Sequence, residues 1–125
     1  MEVTKRQIGN VVLVDVSGRI VAGESLLLRK SIRQLLSDGE SNIVLNLQHV
    51  PYIDSAGIGD LVSALVAVRR EHGRLKLLNL TRRVHEVLEI VKLLTVFEVF
   101  ASEPEALASF AAPQPYSDRM IARAG

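Results

Sequence analysis

The sequence predicts a single α/β domain: a mostly parallel sheet with helices packed on it and an N-terminal hairpin strand at one edge. Three observations carry this. Short β-branched apolar runs alternate with longer stretches whose apolar residues recur every three to four positions, in the order β-β-α-β-α-β-α-β-α. A chain of 125 residues suits one domain that buries roughly two thirds of its unfolded surface. Hydrophobic residues make up 48% of it and aromatics only 4%, so the core is to be built from Val, Leu and Ile.

Residues 3–8 and 11–17 flank Gly9-Asn10, a pair that tolerates positive φ, and read as a β-hairpin. Gly18 breaks the second strand and residues 19–24 form a loop. From Ser25, Leu28, Ile32, Leu35 and Leu36 share one helical face opposite Arg29, Lys30 and Arg33, with Gly39 as the stop. Residues 42–47 are a buried strand. Ile58, Leu61, Val62, Leu65 and Val66 then mark a second helix, expected to end at His72-Gly73. Residues 75–78 make a strand, Val84, Val87, Leu88 and Val91 a third helix, and residues 96–100 a short strand. Ser102-Glu103-Pro104-Glu105 fits a capping box opening a last helix through Phe110. Residues 112–125, with Pro113 and Pro115 and no apolar period, are expected to be a mobile tail.

The stretch V-P-Y-I-D-S-A-G-I-G-D-L, residues 50–61, lies where the third strand ends and the second helix begins. A hydroxyl there is placed to cap the helix, so one reading makes Ser55 or Asp54 an N-cap and nothing more. Gly57 and Gly59 argue for a second use. Each weakens the helix by about 1 kcal/mol relative to alanine, and their absent side chains admit another molecule's backbone or phosphate. A serine at the positive end of the helix dipole can also carry a phosphate with its charge partly compensated.

Residues 46–59, N-L-Q-H-V-P-Y-I-D-S-A-G-I-G, resemble the signature of STAS domains, in particular bacterial anti-sigma factor antagonists. The likeness extends to residues 14–20, 75–80 and 87–100, covering about residues 3–110, which gives a domain over residues 1–111. In such antagonists an anti-sigma factor with serine kinase activity is captured while the serine is unphosphorylated, and a serine phosphatase restores capture. The resemblance implies Ser55 as the phosphorylated residue and Asp54, Ser55, Ala56, Gly57, Ile58 and Gly59 as the partner-binding surface, with Val21 beside them. Where the family often reads Gly-x-Leu-Asp after the second strand, this chain has Gly18-Arg19-Ile20-Val21. The missing carboxylate at Val21 bears on partner choice or docking angle.

Nothing in the sequence composes a catalytic site. Gly57-x-Gly59 is followed by Val62 where a dinucleotide fingerprint needs a third glycine, and no phosphate-loop run occurs. A serine elbow requires glycine two residues before Ser55, where Ile53 stands. His49, His72 and His85 show no metal-ligand spacing, so neither metal nor cofactor is expected. His49 is the conceivable base for Ser55, without a third group to orient it. His72 reads as a helix-end residue and His85 as solvent-facing, Asp54 as a cap and Asp60 as a first-turn dipole partner.

Fifteen basic side chains against fourteen acidic ones leave a formal charge of +1, which supplies no field for direct nucleic-acid binding. Arg69, Arg70, Arg74, Arg82 and Arg83 read as a solvated face. Cysteine is absent, no secretory signal opens the chain, and no apolar run reaches the roughly 18 residues of a membrane span, so a cytoplasmic protein is expected. Two other roles fit the same residues: an unphosphorylated scaffold subunit of a transporter or stress-signalling assembly, and a small-ligand or nucleotide-binding domain using the same helix end. Oligomeric state is not legible.

Overall fold

The structure, a computed structural model, describes residues 1–111. The expected tail, residues 112–125, lies outside the described residues. Strands β1 (Glu2–Ile8) and β2 (Val11–Ser17) pair antiparallel about Gly9, whose φ of +61° is the positive value the turn requires. β2 then pairs in parallel with β3 (Asn42–His49), β3 with β4 (Arg74–Leu78), and β4 with β5 (Glu98–Phe100). The sheet order is therefore sequential, β1-β2-β3-β4-β5. The fold class and every expected element are present.

Helices α1 (Leu26–Ser37), α2 (Ser55–Arg70) and α3 (Arg82–Ile90) all pack on one face of this sheet. Parallel strands demand a crossover each, and successive right-handed crossovers over neighbouring strands put their helices on the same side. Val12, Val14 and Val16 of β2, Ile43, Leu45 and Leu47 of β3, and Leu75 and Leu77 of β4 point there, meeting Leu28, Leu61, Leu65 and Leu88. Alternate residues Val11, Leu13, Val44 and Leu78 point the other way, under α4 (Glu103–Ala108) and the 3-10 turn Ser109–Ala111. Ser102 caps α4 as its sequence predicts, accepting a hydrogen bond from the Glu105 N–H at 3.3 Å.

Local details depart from the sequence reading. In α2 the buried stripe is Gly57, Leu61, Ala64, Leu65 and Val68, while Val66 is 42% exposed. Gly73 is no left-handed terminator: His72 takes the positive φ, +58°, and Gly73 is required because a Cβ there would overlap the backbone of Ser41 at the start of β3. Val91 caps α3 and is exposed instead of continuing its apolar face. Arg74 leaves the expected solvated face, donating from Nη2 to the Phe110 carbonyl at 2.7 Å.

Candidate functional site

The loops that follow β2 and β3 continue the strands' parallel pairing beyond the sheet. Gly18 N–H donates to the His49 carbonyl at 3.0 Å, Ile20 N–H to the Tyr52 carbonyl at 3.1 Å, and Asp54 N–H to the Ile20 carbonyl at 3.3 Å. Ile20, Val50 and Ile53 anchor this double layer by burying their side chains in the core. The loop that carries Val21 is thus laid against the turn that carries Ser55.

The chain reaches Asp54 in an extended conformation, φ −104° and ψ −175°, and then turns into α2. Both oxygens of the Asp54 carboxylate are engaged. Oδ1 accepts from the Gly57 N–H at 2.8 Å, which caps the helix, and Oδ2 accepts from the Ala22 N–H at 3.1 Å, which pins the preceding loop. These backbone donors, Gly57 first and Ala22 second, hold the carboxyl below the usual carboxylate range. The cap is therefore Asp54. Ser55 is the first helical residue, exposed, and its hydroxyl makes no hydrogen bond to any of the described residues.

The two glycines have opposite surroundings. Gly57 is buried, and a Cβ on it would run into the Ile20 carbonyl. The close approach it permits is by its own chain, which corrects the reading that it leaves room for another molecule. Gly59 is exposed, and a Cβ there would meet nothing within 4 Å. Ala56 is exposed as well, whereas Ile58 and Val21 are half-buried and Ile58 packs against the core. Ser55, Ala56 and Gly59 are thus exposed, and Asp54, Ile58 and Val21 partly so.

Asp60 does not act in the first turn. It lies on the second, where its carboxylate accepts from the buried Ser25 hydroxyl and approaches Arg29 Nε at 3.8 Å. Ser25 in consequence makes no side-chain cap to α1, which it precedes. This tie between α1 and α2 escaped the sequence reading; Ser25 at a helix start was its only trace. Tyr52 is exposed beside the same turn, with the Arg83 guanidinium 5.6 Å from its ring centroid. Thr81, which caps α3, donates to the Val50 carbonyl at 2.7 Å and so fixes α3 to the end of β3.

Among the described residues no base is hydrogen-bonded to the Ser55 hydroxyl. His49 closes β3 opposite Ser17. His85 is exposed on α3 as expected. Among the described residues no three His, Asp or Glu side chains converge to hold a metal ion, and no helix is long and apolar enough to cross a membrane. What the geometry offers is an unengaged hydroxyl at the positive end of a 16-residue helix, beside a carboxylate already committed to backbone.

Comparison with known proteins shows the family and the fold. Residues 2–106 match the STAS domain. The chain is 29% identical over 115 residues to the protein BtrV of Bordetella bronchiseptica, covering 92% of this chain and 99% of that one. It is 29% identical over 101 residues to the anti-sigma-B factor antagonist of Bacillus subtilis, covering 81% and 92%. The fold is shared with the Bacillus protein SpoIIAA. Its phosphorylated form superposes with a TM-score of 0.69 at 20% identity, over 87% of this chain and 99% of that one. Its unphosphorylated form gives 0.67 at 18% identity, over 89% and 99%.

Proposed function

This chain belongs to the STAS domain family, and we propose that it works as an anti-sigma factor antagonist, a binding protein and not an enzyme. In this reading it captures an anti-sigma factor with serine kinase activity while the Ser55 hydroxyl is free. It releases that partner once Ser55 is phosphorylated, and a serine phosphatase resets it. The observation that carries the reading is the Ser55 hydroxyl itself, exposed and relieved of capping by Asp54.

A phosphate replaces a small neutral group with about −1.5 to −2 charges and three acceptor oxygens. The N-terminus of α2 compensates part of that charge, so the domain has no need to unfold. A partner seated over Ala56 and Gly59 meets both new bulk and new charge. Release follows from a clash at the surface. Val21 sits in the loop that Asp54 pins beside Ser55, so an apolar side chain is presented where related antagonists often offer a carboxylate.

Incubation with the partner kinase and Mg-ATP is expected to add one phosphate, placed on Ser55 by peptide mass spectrometry. Ser55→Asp should weaken capture by about 100-fold, the effect of setting a like charge inside an interface, while Ser55→Ala binds as the parent does. Equal binding by both variants, or a phosphate elsewhere, overturns the reading.

A further inference from the structure

Ser55, Gly59, Ser63 and Ala67 follow one another at four-residue intervals along α2, and the 1.5 Å rise per residue puts Ser63 about 12 Å from Ser55 along the axis. Ser63 and Ala67 form one wall of a groove whose opposite wall is α1. Leu28, Ile32 and Leu36 of α1 make that groove apolar, and its volume is about 120 Å³. An aliphatic cavity of ~150 Å³ holds a benzene molecule. One large apolar side chain therefore fills this groove.

The rim is basic. Arg29 and Arg33 line it from α1 and Lys30 is exposed on the same helix, which has no acidic residue between Leu26 and Ser37. Asp60, the one carboxylate among the described lining residues, already accepts from Ser25 and faces Arg29. A second copy of this chain would set those arginines against themselves. The sequence of residues 112–125, with Arg119 and Arg123 against Asp118, offers no acidic excess to complement the rim. An acidic visitor is the occupant whose charge complements the rim.

We propose that the α1–α2 groove is a second contact of the surface around Ser55, taking one large apolar side chain that an acidic segment of the anti-sigma factor presents between carboxylates. The inference rests on the reading of Ser55 given above. Ser63, on the groove's rim, stands about 12 Å along the α2 axis from Ser55 and about 80° around it, so a partner that wraps the exposed face of α2 reaches both. The groove supplies affinity, and the hydroxyl decides whether that affinity is used. An acidic segment beside Ser55 also sharpens release, because phosphorylation then adds negative charge facing negative charge.

Calorimetric titration of the full chain with the purified anti-sigma factor tests this. Arg33→Glu, at an exposed position, should weaken capture about tenfold and flatten its salt dependence. Ala67→Phe, which fills the groove, should weaken it by a similar factor. If Ser55→Asp loses capture while both groove variants bind as the parent does, the groove proposal falls and the switch stands. If the groove variants lose capture and Ser55→Asp does not, the switch falls and the groove stands. Absence of binding by the unphosphorylated parent overturns both. A self-association that Arg33→Glu abolishes would name a second copy as the occupant and overturn the proposal. Should Ala67→Phe fail to fold, Arg33→Glu decides alone.

Discussion

The start of α2 and the seam beneath α4 both gather polar groups, yet they treat them oppositely. Under α4 the Lys76 ammonium is 2% exposed, donates to Ser109 Oγ at 2.7 Å, lies 3.2 Å from Glu98 Oε2 and sits 4.4 Å from the Phe110 ring centroid. Burial lowers its pKa against the opposing pull of Glu98. Arg6 of β1 reaches Glu103 at 2.8 Å to hold the first turn of α4. Lys76, through Ser109 and Phe110, and Arg6, through Glu103, are thus committed to keeping α4 on the sheet. At the start of α2, one side chain, Asp54, performs the structural bonding, and the exposed Ser55 hydroxyl beside it bonds to none of the described residues. A site that another protein can inspect requires capacity left over, and only the second region has it.

That contrast can be broken most severely at Gly57. Gly57→Ala forces a methyl into the Ile20 carbonyl, backbone against backbone, and is expected to cost about 3 kcal/mol in denaturant unfolding. A cost under ~0.5 kcal/mol would mean that the two loops are not clamped there. Lys76→Ala comes next, at about 2 kcal/mol, by stripping the aliphatic stem from under Phe110 and leaving Ser109 and Glu98 without their donor. Capture of the anti-sigma factor should be unchanged in that variant; a weakened capture would show that the two regions are not separate. The pH dependence has a defined sign. Because the folded pKa of Lys76 lies below its unfolded value of about 10.4, the unfolded chain binds more protons in between, and the parent gains stability over Lys76→Ala as pH rises through that interval. The smallest effect is expected at Gly59, with the opposite sign. Gly59→Ala fills open space on an exposed helix, so it should stabilise the domain by up to about 1 kcal/mol while weakening capture. A variant that is both more stable and fully competent would remove Gly59 from the docking surface.

The order of strands and helices was legible because periodicity in this chain is strong and Gly9, Gly39 and Pro104 punctuate it where backbone chemistry demands. The hairpin, Ser102 as a cap and the position of Ser55 at a strand-to-helix junction were all readable on those grounds. Which neighbour caps α2 was not. Asp and Ser are both good caps, and the choice depends on Ala22, 32 residues away, which offers Asp54 a second N–H. The same blindness to distant contacts hid the different meanings of Gly57 and Gly59, since only the path of residue 20 separates them. Asp60 read as a dipole partner because its bond crosses to another helix, and Arg74 read as solvated because Phe110 folds back over it from the far end of the domain.

Asp54 holds two loops together with one carboxylate, and that division of labour has a consequence for how long the domain can serve. A side chain that supports nothing can be decorated and stripped any number of times without loosening the scaffold around it. In the proposed cycle of phosphorylation and dephosphorylation, the domain would keep the same shape throughout.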